Sequence, residues 1–173
     1  MCALRVVDAG SDDTEDARAL VFEYMAATVA ETSGRASPAR IEDLPRVLRA
    51  ECADLAAVYR PPGTLLLAYS GGAAAGCAGL ADRGEHTAEV KRLYVRPAYR
   101  RAGVARALMA RIHERAAELG FTTLLLDVMR SRTQVIEFYR RLGYTPAEPF
   151  PTTSPVPMVF MRRSVGAADI RLS

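Results

Sequence analysis

The six residues Arg100-Arg101-Ala102-Gly103-Val104-Ala105 constrain this chain more than any other stretch. Before them runs a β-rich segment, Val90-Lys91-Arg92-Leu93-Tyr94-Val95, and a periodic helix begins near Gly103. The order is therefore strand, basic loop, then helix N-terminus. The first turn of a helix leaves several backbone N–H groups unpaired and carries the positive end of the macrodipole. Gly103 and Ala105 remove the bulk that would keep an anion from those amides. The stretch predicts a site for a phosphate-bearing ligand.

Charge supports a local site rather than a globally basic protein. The net charge of +3 over 173 residues is too small to argue for nucleic acid. Between Glu89 and Glu114, however, no acidic residue intervenes, while Lys91, Arg92, Arg96, Arg100, Arg101, Arg106 and Arg111 all do. A half-hydrophobic chain of this length fits a single domain, 1–173, with a sizeable core. Cys2, Cys52 and Cys77 have no metal-ligand spacing, and their odd number argues for reduced thiols. His86 and His113 have no ligand partners in the pattern and are expected on the surface, so no metal is expected. Without a membrane span of about 18–20 apolar residues or a signal-peptide pattern, the expected compartment is the cytoplasm, with no membrane partner.

Periodicity predicts strands at 3–7, 64–70, 73–81, 87–95, 122–129 and 156–163. Helices are expected over 13–33, over 44–59 before Pro61-Pro62-Gly63, from Gly103 to Gly120, and from a Ser131/Gln134 capping box to Gly143. Gly71-Gly72 reads as a hairpin turn. Antiparallel strands followed by a β-α-β-α-β run predict an α+β fold: a mixed, mostly antiparallel central sheet with helices on both faces.

The motif Arg100-Arg101-Ala102-Gly103-Val104-Ala105, preceded by Leu93-Tyr94-Val95-Arg96-Pro97, resembles the signature of the GNAT superfamily of N-acetyltransferases. Ile136-Glu137-Phe138-Tyr139-Arg140-Arg141-Leu142-Gly143-Tyr144 resembles the family's later helix. The resemblance covers essentially the whole chain, most specifically 87–145. It implies acetyl-CoA as donor cosubstrate, its phosphates cradled at Arg100, Arg101, Ala102, Gly103, Val104 and Ala105. It also implies that the pantetheine arm pairs with the backbone of Leu93 and Val95, and that an amide near Tyr94 holds the thioester oxygen. Tyr139 stands in the place of the general acid, and Glu89 in a region where members carry a basic glutamate. An unbroken strand would put Glu89 on the face of Leu93. Arg132 and Val135 depart from the asparagine and alanine common on the later helix. Asp127, on the apolar strand, reads equally as a structural hydrogen-bond acceptor or as a substrate contact.

The expected activity is direct acetyl transfer to an amine in a ternary complex, the acceptor being a small molecule. A non-catalytic acyl-CoA-binding or regulatory module on the same fold is the alternative. An aminoacyl-tRNA-directed enzyme is disfavoured by the few aromatics among the arginines. The acceptor should be read by helices within 13–60 and by the proline-rich segment 146–157, with Phe150 and Arg60 as contacts. The resemblance also makes a homodimer an expected assembly.

Overall fold

The structure, a computed structural model, describes residues 3–152, 154–166 and 169; Cys2 lies outside them. β1 (Leu4–Asp8) pairs antiparallel with β2 (Thr64–Ser70). The chain then turns through Gly71-Gly72, both at positive φ, into β3 (Ala73–Asp82). Glycine is what a two-residue turn with left-handed backbone at both positions requires. β4 (Thr87–Val95) extends the antiparallel run. α4 (Val104–Glu118) then crosses over to β5 (Thr123–Met129), which lies parallel to β4. After α5 (Thr133–Arg141), β6 (Thr145–Pro146) and β7 (Met158–Ser164) close the sheet. Among the described residues the strand order is β1-β2-β3-β4-β5-β7-β6, and only β4–β5 is parallel. The mixed, mostly antiparallel sheet is as expected.

Alternation along β2 splits the core in two. Leu66 and Ala68 face α4 and α5, in a cluster with Leu108, Ile112, Leu124 and Met161. Leu65, Leu67 and Tyr69 face α1 (Thr14–Ser33), α2 (Arg46–Ala53) and α3 (Leu55–Val58), in a cluster with Leu20, Met25 and Cys52. Period-2 side-chain direction in a strand requires this division when both faces are covered.

Three local expectations are corrected. The single helix over 44–59 is interrupted: Leu44 stays extended before Pro45, and the chain breaks again at Asp54, whose Oδ1 accepts from the Ala57 N–H at 2.9 Å. Proline disfavours helical backbone in the residue before it, and an aspartate at an N-cap competes with helix continuation. The Ser131/Gln134 capping box does not form; Arg132 is the N-cap of α5 and makes no cap hydrogen bond with its side chain. His113 is buried rather than on the surface, with Nε2 at 3.2 Å from the Tyr144 hydroxyl.

The decisive irregularity lies in β4. Its register against β3 shifts between Cys77 and Gly79, so that Arg92 and Leu93 together oppose Ala78. Arg92 sits at φ +55°, a left-handed conformation that a long side chain adopts only at a cost. A half-buried ion pair holds it there: Arg92 Nε and Nη2 donate to Glu51 Oε1 and Oε2 at 2.9 and 2.7 Å. Glu51 also accepts from the Tyr59 hydroxyl at 3.0 Å, and the Tyr59 ring lies flat against Gly79 where any Cβ would collide. Breaking one side of such a pair leaves an uncompensated buried charge. We expect Glu51→Ala to lower unfolding stability by about 3 kcal/mol in denaturant titrations. Arg92→Met in the same background should recover part of that loss; unchanged stability of Glu51→Ala would contradict the assignment.

Candidate active site

The site begins where a ladder ends. β4 and β5 pair only from Thr87↔Thr123 to Glu89↔Leu125, although both strands continue. Beyond Glu89 they part, and β5 remains bonded to β7 through Met129. The gap opens into a cleft of about 600 Å³. Of the sequence-predicted residues, Glu89, Leu93, Tyr94, Val95, Arg100, Ala105 and Tyr139 line it. Arg101, Ala102 and Gly103 are exposed on the loop leading into α4, and Val104 is buried in the core.

The backbone of β4 turns hydrogen-bonding groups toward this gap. Arg96 N–H donates to Ala75 O at 2.9 Å, so strand alternation turns the main chain of Val95, opposite Gly76, away from β3. Tyr94, opposite Cys77, is engaged with β3, and Leu93 next to it faces the gap again. The side chains of Leu93 and Val95 meanwhile pack against the α4–α5 core. Arg100 Nε donates to Val95 O at 3.1 Å, which sets its guanidinium at the mouth of the gap.

The helix N-terminus completes the mouth. Gly103, at φ +82°, is the N-cap of α4, and a Cβ there would meet nothing within 4 Å. The first intrahelical bond runs from Ala107 N–H to Gly103 O at 3.0 Å, which leaves the amides of Val104, Ala105 and Arg106 at the open end. The basic run divides here. Lys91 pairs with Glu89, Arg92 with Glu51, Arg96 with Glu23, and Arg111 with Asp8, Glu114 and Glu118. Arg100, Arg101 and Arg106 have no carboxylate within 4.0 Å among the described residues and cluster at the α4 N-terminus.

Glu89 is in the cleft, but not on the face expected of it. The extra residue at Arg92 reverses the alternation, so that Leu93 joins the cluster of Ala88 and Val90 while Glu89 points to the opposite face. Glu89 is 6% exposed and is bracketed by Arg83 and Lys91, each at 3.5 Å. The adjacent Arg92 does not reach it and pairs with Glu51.

Tyr139 borders the cleft from α5, buried against Phe138 and Tyr144 with ring centroids 5.6 and 5.5 Å away. Burial chiefly, then the neighbouring Tyr24 and Asp127, hold its phenol well above the usual range. Tyr139 therefore keeps its proton at neutral pH.

Three further residues line the cleft: Asp127, for which the sequence left a substrate contact open, and Tyr24 and Arg132, which it did not place in a site. Asp127 reaches the cleft from β5 and accepts from Thr152 Oγ1 at 2.6 Å. Tyr24, read only as part of an amphipathic stripe, lies under the Arg92 guanidinium, 5.4 Å from ring centroid to Cζ. Arg132 spans from α5 to α1, donating to Glu31 at 2.7 Å and to Thr28 Oγ1 at 3.3 Å. Its departure from the family pattern was the one trace of that role in the sequence. The two suggested acceptor contacts lie elsewhere: Phe150 packs on Phe160, and Arg60 borders a separate cavity beside α3. Among the described residues no group of three or more His, Cys, Asp or Glu could hold a metal ion. No helix there is long and apolar enough to cross a membrane.

Comparison with known proteins agrees with this geometry. The chain is 32% identical over 112 residues to the IAA acetyltransferase of Azospirillum brasilense, covering 64% of this chain and 73% of that protein. Its fold matches a GNAT-family acetyltransferase of Staphylococcus aureus Mu50 with a TM-score of 0.74 at 14% identity, over 95% of this chain and all of the other. It also matches the paia N-acetyltransferase of Thermoplasma acidophilum in complex with coenzyme A, with a TM-score of 0.69 at 17% identity, over 94% and 99% of the two chains. The model of the Acetyltransferase (GNAT) family matches residues 27–144. The chain belongs to the GNAT acetyltransferase family.

Proposed function

We propose that this protein is an acetyl-CoA-dependent N-acetyltransferase that transfers acetyl directly to a small amine bound beside the coenzyme. The observation that carries the reading is the parting of β4 from β5, with α4's N-terminus at the mouth of the gap and Tyr139 on its wall. The coenzyme A complex of the structural neighbour supports the same ligand class.

Acetyl-CoA, when bound, supplies an activated thioester carbonyl and a thiolate leaving group. The residues here suit each part of it. The open amides at Val104, Ala105 and Arg106, with Arg100, Arg101 and Arg106 around them, suit a pyrophosphate. The gap-facing backbone of Leu93 and Val95 suits an extended, amide-bearing arm and can donate to the thioester oxygen. Tyr139, held protonated, can deliver its proton to the departing sulfur. The acceptor's proton needs a carboxylate or a water. Glu89 is already neutralised by two cations, whereas Asp127 has a single hydroxyl donor and no cation within 4.0 Å among the described residues. Asp127 is thus the better-placed base, and Glu89 supports the cleft electrostatically.

Three outcomes test the reading. Tyr139→Phe should lower kcat by about 10²-fold while the Kd for acetyl-CoA changes little; unchanged kcat would remove Tyr139 from the mechanism. Asp127→Asn should cost more in kcat/KM than Glu89→Gln, and the reverse order would return the base to Glu89. Gly103→Val places a β-branched side chain at φ +82° in the mouth of the gap. It should abolish coenzyme binding by calorimetry while circular dichroism stays that of a folded protein. Tight binding by this variant would overturn the phosphate assignment.

A further inference from the structure

A second cavity of about 510 Å³ adjoins the cleft, sharing Tyr24, Thr28, Arg92, Asp127 and Met158 with it. Its position, between α1, the start of α2 and the chain before β7, places it next to the wall that carries Tyr139 and Asp127. The lining is dominated by Met25, Val29, Val47, Leu48, Pro155 and Met158. Val47 is 60% exposed, and among the described residues only Leu4 is also a large exposed hydrophobe. A concave, largely apolar surface opening beside the cleft is a place for the apolar body of a ligand.

The charges around this cavity narrow that ligand. Arg92 borders it, but its charge is already paired with Glu51, to which Nε and Nη2 donate. Arg132, on the cleft side, is likewise taken by Glu31. Asp127 is the opposite case: it stands at the junction of the two cavities, with Thr152 as its donor and no cation within 4.0 Å among the described residues. An ammonium group finds a partner at that junction. A carboxylate on the same molecule would face Asp127 and find only paired arginines. A second ammonium, carried deeper, would leave water for a lining that holds no carboxylate besides Asp127.

We propose that the acceptor is a primary monoamine on a compact apolar body, an arylalkylamine or branched alkylamine. Its amine meets Asp127 and its body fills the pocket between Val29, Leu48 and Met158. The assignment rests on the acetyl transfer proposed above. It excludes amino acids and polyamines as preferred substrates.

Matched pairs test it, with the full chain, acetyl-CoA and thiol release as the readout. 2-Phenylethylamine and phenylalanine differ by one carboxylate; 3-methylbutylamine and 1,4-diaminobutane contrast an apolar end with a second ammonium. The monoamine of each pair should show kcat/KM at least about tenfold higher, the scale on which a buried unpaired charge is rejected. Leu48→Lys, which brings a cation into the pocket, should raise KM for 2-phenylethylamine about tenfold and leave the calorimetric Kd for acetyl-CoA unchanged. Equal or better use of phenylalanine or the diamine, or an unaltered KM in Leu48→Lys, would overturn the acceptor class. If acetyl-CoA binds and thiol release occurs only with other amines, this inference falls and the proposed function stands. If acetyl-CoA does not bind, both fall.

Discussion

The half-buried pair between Glu51 and Arg92 is the interaction on which the site depends. It ties α2 to a residue of β4 that has left ordinary strand conformation, and it offsets the strain of that departure. The extra residue changes the phase of everything after it. Before the bulge, Ala88 and Val90 pack under α4 and α5; after it, Leu93 and Val95 do. Without the phase change, Tyr94 rather than Leu93 would turn into that core, and the main-chain groups facing the gap would belong to other residues. The same arginine borders both cavities, so one ion pair holds β4 and the boundary between them.

The parting of β4 and β5 is the complementary constraint. Parallel strands left unpaired in the middle of a sheet expose hydrogen-bonding groups that the core cannot satisfy. Here one edge of the gap is β4 backbone and the other belongs to β5, which is bonded on its far side to β7. An extended ligand with its own amides answers that need as a strand would. The N-terminus of α4 lies beside this gap, with Arg100 at its mouth and Arg101 and Arg106 next to it in the chain. The fold leaves the gap open, and the charges give it a direction.

Much of this was legible in the residues. Gly71-Gly72, the apolar run of β5 and the small residues opening α4 each determine local structure through a single physical requirement, and each formed as read. Arg100 to Ala105 stood out because loop, glycine and arginines are contiguous in the chain. What stayed hidden depends on contacts distant in sequence. Nothing local marks Arg92 for a bulge, because the force that holds it comes from Glu51, 41 residues earlier. Glu89 was consequently assigned to the wrong face, by counting along a strand taken as unbroken. Asp127 and Tyr24 follow ordinary strand and helix patterns, and only the packing of α1 and α5 over the sheet makes them neighbours of the cleft. The exclusion of Leu44 from α2 was written in Pro45 and the break at Asp54 in the aspartate cap, but a continuous apolar stripe outweighed both.

The proposed berth of the coenzyme is the gap between β4 and β5. Backbone amide chemical shifts, followed residue by residue as coenzyme A is titrated into the ¹⁵N-labelled protein, test it most directly. The account predicts the largest changes at Leu93, Val95, Val104, Ala105 and Arg106, with Tyr94, engaged by β3, changing less. Changes centred on the face of α1 away from the cleft, or on none of these amides at saturating coenzyme, would contradict it.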